Sequence, residues 1–264
     1  MSYFPTSGRF IDEVEVVHGP AGLLGRFFLQ AELAACDCGV SLSFATSHEL
    51  VRVNRANSDT WRPLLPIFDH ETSGFDPGCG FVLLGKDRSG DIVASQAARV
   101  YDWSDSDLQT EATSLRMFYG TRPPQRPDEI CRVQAPSASL ISGRVVFSGA
   151  GWYRPDFRKR GLASVLPRIS RAYAMTCCAT DFTVSIMADA VAAGGMAQRS
   201  GYTRAESSVE LVNSPVGTVN CVLVWMDAQE LLGDLQSYLA ERERARTKVD
   251  TVIQHGAADD ARVA

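Results

Sequence analysis

The chain has 264 residues, 45% of them hydrophobic, with 26 basic side chains against 31 acidic ones and a formal charge of -5. That is enough apolar material for one large domain or two small ones, and the acidic balance argues against a general nucleic-acid binder. No stretch approaches a long uncharged apolar run, and the N-terminus lacks a basic region followed by an apolar core, so no membrane span is expected and a cytoplasmic protein is.

Seven cysteines at irregular spacing, Cys36, Cys38, Cys79, Cys131, Cys177, Cys178 and Cys221, suit reduced thiols better than a disulfide framework. The histidines His18, His48, His70 and His255 are scattered, and no metal cluster is legible.

Ile11 to Val17 reads as an edge strand, and Gly22 to Ala35 as a packing helix with Leu23, Leu24, Phe27, Phe28 and Ala31 on one face. Gly39 to Ala45 alternates as a half-buried strand, and a helix starts at Ser47 with Thr46 or Ser47 as its cap. Pro63 and Pro66 exclude a long helix across Trp61 to Asp69. Phe81 to Gly85 and Ile92 to Tyr101 flank a charged turn holding Gly90, the pattern of a β-hairpin.

Residues 102–143 depart from this compactness. Asp102, Asp105, Asp107 and Glu111 precede Leu115, Met117, Phe118 and Tyr119, a pattern that suits one helix with an acidic start. Pro123, Pro124, Pro127 and Pro136 then prevent a continuous element, so the segment reads as an insertion, either a plain connector or a cover for a binding channel. Arg144 to Tyr153 is the next strand, with Gly149 and Gly151 marking a bulge or a close approach. It runs into Trp152-Tyr153-Arg154-Pro155-Asp156-Phe157-Arg158-Lys159-Arg160-Gly161-Leu162-Ala163, a strand-to-helix turn that gathers cations and unpaired amides at a helix start. Such a turn favours an anion, and it carries neither of the two common glycine-rich phosphate signatures.

Arg158 to Ala163 resembles the R/Q-x-x-G-x-G/A motif of the GNAT superfamily of N-acetyltransferases, and Pro155-Asp156-Phe157 resembles the lead-in to it. The resemblance implies an α/β fold with a mixed central sheet of the acyl-CoA N-acyltransferase type and flanking helices. It also implies pyrophosphate contacts of acetyl-CoA at Arg158, Lys159, Arg160, Gly161, Leu162 and Ala163, with pantetheine contacts near Trp152 and Tyr153. The helices after the first strand would wall the acceptor site, and the motif strand would part from its neighbour to admit the cofactor.

The following helix places Leu162, Val165, Leu166, Ile169, Ala172 and Tyr173 on one face, with Pro167 expected to kink it. Residues 181–188 alternate as a strand, Gly194-Gly195 interrupts the small apolar stretch beyond, and Ser200-Gly201-Tyr202 resembles the family's glycine-aromatic ending. Ser207 to Val212 and Val219 to Met226 read as closing antiparallel strands. Asp227 then caps a helix whose Leu231, Leu232, Leu235, Tyr238 and Leu239 face the domain or a second copy in a homodimer, with a loose tail from Gly256. The domain reading is an N-terminal extension over 1–38, an acetyltransferase-like domain over 39–226 with the insertion, and a C-terminal helix and tail over 227–264.

Aligning Gly201 and Tyr202 to the family's ending puts Ala197 where a proton-donating tyrosine is common and Ala190 where an asparagine is common. The catalytic candidates are therefore substitutes: Asp189, for which a helix-cap role competes, Tyr202, for which packing competes, and Glu111, which depends on the insertion. The resemblance implies an acetyl-CoA-dependent N-acetyltransferase acting on a small-molecule amine by direct attack in a ternary complex, with no metal. The acids at 102–111 would serve as a wall for a cationic acceptor, or are the ordinary acids of an exposed loop. Two other readings are a catalytically weak acyl-CoA-binding regulatory module of the same fold and a nucleic-acid module using the basic patch over 154–160.

Overall fold

The computed structural model describes residues 4–260. In chain order the elements are α1 (Ala21–Asp37), β1 (Ser41–Ala45), α2 (Ser47–Ala56), α3 (His70–Ser73), β2 (Gly80–Lys86), β3 (Ile92–Trp103), α4 (Leu108–Thr113), α5 (Arg116–Tyr119), β4 (Ile130–Val133) and β5 (Gly143–Tyr153). There follow α6 (Leu162–Cys178), β6 (Phe182–Ala188), α7 (Asp189–Ala193), α8 (Met196–Arg199), β7 (Arg204–Ser214), β8 (Gly217–Asp227) and α9 (Ala228–Asp260). No helix among the described residues is long and apolar enough to cross a membrane.

The strands form one eight-stranded sheet in the order β1-β2-β3-β5-β6-β8-β7-β4. β5 and β6 are parallel, and the other neighbouring pairs among the described residues are antiparallel. Because side chains alternate across a strand, each strand feeds two cores. Phe81, Leu83, Val146, Val224 and Met226 enter the layer beneath α1, α6 and α9, while Val82, Leu84, Val145, Phe147, Leu223 and Trp225 enter the layer beneath α2, α4 and α5. The first layer is aromatic: Tyr173 of α6 lies within 4.9–6.3 Å, ring to ring, of Phe4, Phe10, Phe44 and Phe81.

Several expectations are corrected. Ile11 to Val17 is not a strand, because Phe10–Glu13 winds into a 3-10 turn that buries Phe10, and only Arg9 bridges to Ser43 of β1. The single acidic-start helix of the insertion is two short ones, parted where Leu115 takes φ 63°. The insertion also adds β4 to the sheet edge, where Ile130 to Val133 pairs with Val209 to Val212 of β7. Thr46 caps α2 by accepting from the Glu49 amide at 3.1 Å, and Asp227 and Glu230 exchange reciprocal bonds at the start of α9. α6 is continuous through Pro167, and α9 continues past Gly256 to Asp260; residues 261–264 of the expected loose tail lie outside the described residues.

A buried ionic knot ties the C-terminal helix to this frame. Asp234 of α9 receives a bidentate pair from Arg168, 2.8 Å on each oxygen, and a longer contact from Arg171 at 3.4 Å. Arg171 is fully buried and also donates to the Ser200 carbonyl, while Arg168 donates to Ser164 and Arg199 carbonyls. Gly201 lies so close that a Cβ there would overlap Asp234 and Arg168, which explains the glycine before Tyr202. Removing one partner of a buried ion pair strands the others unpaired in a dry site. Asp234→Ala is therefore expected to destabilise the fold by about 3–5 kcal/mol, read as a lower urea midpoint at unchanged slope.

Candidate functional site

The site opens where the parallel pair separates. β5 and β6 are in register only from Val145–Phe182 to Phe147–Val184, whereas β6 keeps its pairing to β8 as far as Ala188–Cys221. The stretch from Ser148 to Tyr153 therefore has no β6 partner. On its other edge the register with β3 shifts between Ser95 and Ala97, and Ala150 takes φ 52°. The bulge expected from Gly149 and Gly151 is thus centred on the alanine between them, held by the Ser95 hydroxyl donating to the Ala150 carbonyl at 3.0 Å. A Cβ on Gly149 would meet the Phe68 ring at 2.8 Å, so the glycine permits that ring's approach.

At the end of β5, Pro155–Phe157 forms a 3-10 turn, and Lys159 (φ 63°) and Gly161 (φ 96°) reverse the chain into α6. No backbone hydrogen bond among the described residues leaves the amides of Lys159 to Ala163, and the space beside Gly161 is open. Exposed Lys159, Arg160 and Arg158 surround them. Arg158 donates to the Tyr153 and Thr60 carbonyls, Arg160 stacks over Phe157 at 4.2 Å, and the Cys38 thiol donates to the Arg160 carbonyl at 2.8 Å. Free donors, net positive charge and the dipole of a 17-residue helix fit an anion such as a pyrophosphate. Arg154 is not part of this supply: Asp87 and Asp156 accept from it at 3.0 and 2.8 Å.

The parting continues into a cleft of about 620 Å³ that runs from Tyr153 and Arg158 to β7 and β8. One wall is the proline-bracketed segment from Thr60 to Phe68, where Trp61 stacks on Trp152 with ring centres 5.1 Å apart and planes 8° from parallel. The other comprises Ile186, Met187 and Ala188 of β6 with Leu211, Val216, Val219 and Cys221. At its floor Gln96 donates to Ser148 at 3.0 Å, Ser148 and Ser170 share a 2.7 Å bond, and Ser170 donates to the Pro167 carbonyl. The Gln96 Oε1 and Tyr202 hydroxyl, both buried, have no partner among the described residues.

Of the three catalytic candidates, the structure brings only Tyr202 to this cleft. Burial raises its pKa, opposed by the Arg171 guanidinium 4.3 Å from the ring centre and by nearby Ser148 and Ser185, so the phenol stays protonated near neutrality. Glu111 is a correction: Arg116 holds it at 2.7 Å and Ser106 donates to it, which lowers its pKa, and it faces the insertion instead of the cleft. The expected acidic wall goes with it, since Asp102 is bonded to Ser104 and Asp107 caps α4. Asp189 is exposed in a neighbouring groove beside Arg132 and Glu210, and it does not cap α7, whose start lacks a side-chain cap. Ala190 lines the cleft and Ala197 is buried, so neither position supplies a polar group.

Trp152 and Tyr153 reach opposite cores, Trp152 onto Trp61 and Tyr153 against the α6 layer. Sequence reading missed Gln96, Ser148, Ser170 and Arg171. Their signal was a polar side chain inside an otherwise apolar strand or helix face, which points to a buried network without saying where it converges.

No family model and no curated protein sequence matches the chain. Among solved structures, Arabidopsis thaliana NAA60 in complex with acetyl-CoA is similar at 13% identity over 72% of this chain and 99% of that one, with a TM-score of 0.46. The spermidine/spermine N-acetyltransferase SpeG from Vibrio cholerae is similar at 8% identity over 74% and 97%, with a TM-score of 0.45. Aminoglycoside acetyltransferase AAC(6')-Ib in complex with coenzyme A and kanamycin is similar at 14% over 72% and 96%, with a TM-score of 0.40. No residue role is carried over at such identities. The chain's own strand order, its parted parallel pair and its flanking helices make it an α/β protein with a mixed central sheet.

Gly161 faces open space at positive φ, so a side chain there obstructs the turn while leaving both cores intact. Gly161→Glu is expected to weaken pyrophosphate binding at the turn by about tenfold or more in calorimetry, with a cooperative melt retained.

Proposed function

We propose that the chain is an acetyl-CoA-dependent N-acetyltransferase that transfers an acetyl group to an amine of a small molecule by direct attack in a ternary complex. The observation that carries this reading is the parting of β5 from β6, which leads from the unbonded amides of Lys159 to Ala163 to a cleft floored by the Tyr202 hydroxyl.

The residues divide the work. Amides of Lys159 to Ala163, with Arg158, Lys159 and Arg160, hold the pyrophosphate, and the unpaired edge of β5 from Ser148 to Tyr153 offers backbone groups to the pantetheine arm. Acetyl-CoA supplies an activated thioester. A backbone N–H on that edge stabilises charge developing on a carbonyl oxygen, and the converging walls hold the amine in line, which together replace a protein nucleophile. Tyr202, protonated near neutrality, holds the proton that a departing thiolate requires.

A second reading has one observation in its favour. Ala190 and Ala197 leave two polar positions of the family resemblance empty, which suits an acyl-CoA-binding module with little turnover. The unpartnered hydroxyl of Tyr202 at the cleft floor favours the enzyme.

Calorimetric titration with acetyl-CoA, followed by thiol release against a panel of amines, tests the assignment. Micromolar binding with amine-dependent release is expected; binding without release from any amine would favour the module, and no binding by folded protein would remove the cofactor seat. Tyr202→Phe is expected to lower kcat by about a hundredfold with acetyl-CoA affinity unchanged.

A further inference from the structure

The cleft is unusual in the charges that face it. Its charged lining consists of Arg62, Arg158 and Arg199, and among the described residues no carboxylate lines it. The other titratable groups on it are Tyr153, Tyr202 and Cys221, each with its pKa raised by burial, Cys221 to about 11, so all three are neutral at physiological pH. Two acids stand in neighbouring grooves: Asp189 beyond Cys221, where its field on that thiol is opposed by that of Arg62, and Asp69 behind the Trp61–Leu64 wall, where it accepts from the Glu71 and Thr72 amides. A polycation entering here would leave water and meet only positive or neutral walls, an arrangement that costs free energy at each ammonium.

The remaining walls are apolar, from the Trp61–Trp152 stack, which adjoins the turn through Thr60 and Arg158, to the residues beyond it. The Trp61–Trp152 stack lies beside half-buried Leu64 and Leu65, opposite Val216 and Val219. Aromatic faces of this kind bury a planar or aliphatic body. The same surroundings favour the neutral form of an incoming amine, because burial and neighbouring cations both disfavour ammonium. The nucleophile is thereby prepared without a carboxylate base.

We propose that the acceptor site of this cleft takes a primary amine on an aromatic or aliphatic body whose only cationic group is the amine itself, and that it discriminates against polyamines and aminoglycosides. The assignment rests on the acetyltransferase reading above and names its substrate class. Recognition comes from the Trp61 wall and from the missing carboxylate, so a carboxylate introduced at half-buried Leu64 is expected to reverse the preference.

The full-length protein without cofactor is titrated with 2-phenylethylamine and with spermidine, following tryptophan emission, with Trp61→Phe to assign the signal. The expected result is saturable binding of 2-phenylethylamine about tenfold or more tighter than spermidine. Leu64→Glu, checked for an unchanged coenzyme A affinity, is expected to weaken the first and strengthen the second. Equal or tighter binding of spermidine by the unaltered protein would overturn the proposal. So would displacement of 2-phenylethylamine by hexanoyl-CoA but not by acetyl-CoA, which would give the apolar wall to a longer acyl chain. Because the amine titration needs no cofactor, its failure is distinct from failure of the acetyl-CoA seat, which calorimetry reads separately.

Discussion

Two parallel strands that share hydrogen bonds for three residues and then diverge create the space on which the rest of this structure depends. A sheet interior does not leave backbone groups unpaired unless something else meets them. Here the divergence is maintained from both sides: the Ala150 bulge, pinned by Ser95, bends β5, while β6 stays in register with β8 to its end. The gap is thus a property of a rigid frame, and the polar edge it exposes on β5 lies beside apolar walls that water alone would solvate poorly.

The turn beyond β5 supplies the complementary half. Its donors are free because Lys159 and Gly161 occupy positive φ, which turns successive amides outward before α6 begins. Its cations are not interchangeable. Arg154 is neutralised by neighbouring aspartates and Arg158 is partly spent on carbonyls, so the exposed charge is concentrated at Lys159 and Arg160, against the helix start. Charge density at the amides, not the length of the basic run, is what suits this turn to an anion.

The opposite end of the cleft is governed by the Arg171–Tyr202 contact. A fully buried guanidinium over a buried phenol is costly unless its charge is paired, and Asp234 and the Ser200 carbonyl both accept from its Nη2, from α9 and the segment after α8, while its Nε and Nη1 have no hydrogen-bond partner among the described residues. The C-terminal helix therefore contributes to the position of Tyr202 although it lies outside the cleft. The same knot explains why a glycine precedes the tyrosine: any larger residue would displace the ion pair.

The sequence by itself determined the local chemistry. The strand runs of β2, β6 and β8, the apolar face of α6, the Thr46 and Asp227 caps and the glycine-ended cationic turn each depend on residues close together in the chain, and each is present in the fold. What lay beyond it depended on long-range pairing. β4 is four residues long and has strand character only because β7 adds to it across some 75 intervening residues. Gln96, Ser148 and Ser170 are isolated polar residues in the sequence, and only the register of β3 on β5 and the packing of α6 beneath them join the three, with Gln96 and Ser148 reaching one floor with Tyr202. Local propensity fixed which segments form elements, whereas the convergence of distant strands decided which side chains share the cleft, since side-chain neighbourhood across a sheet is set by register and not by sequence separation.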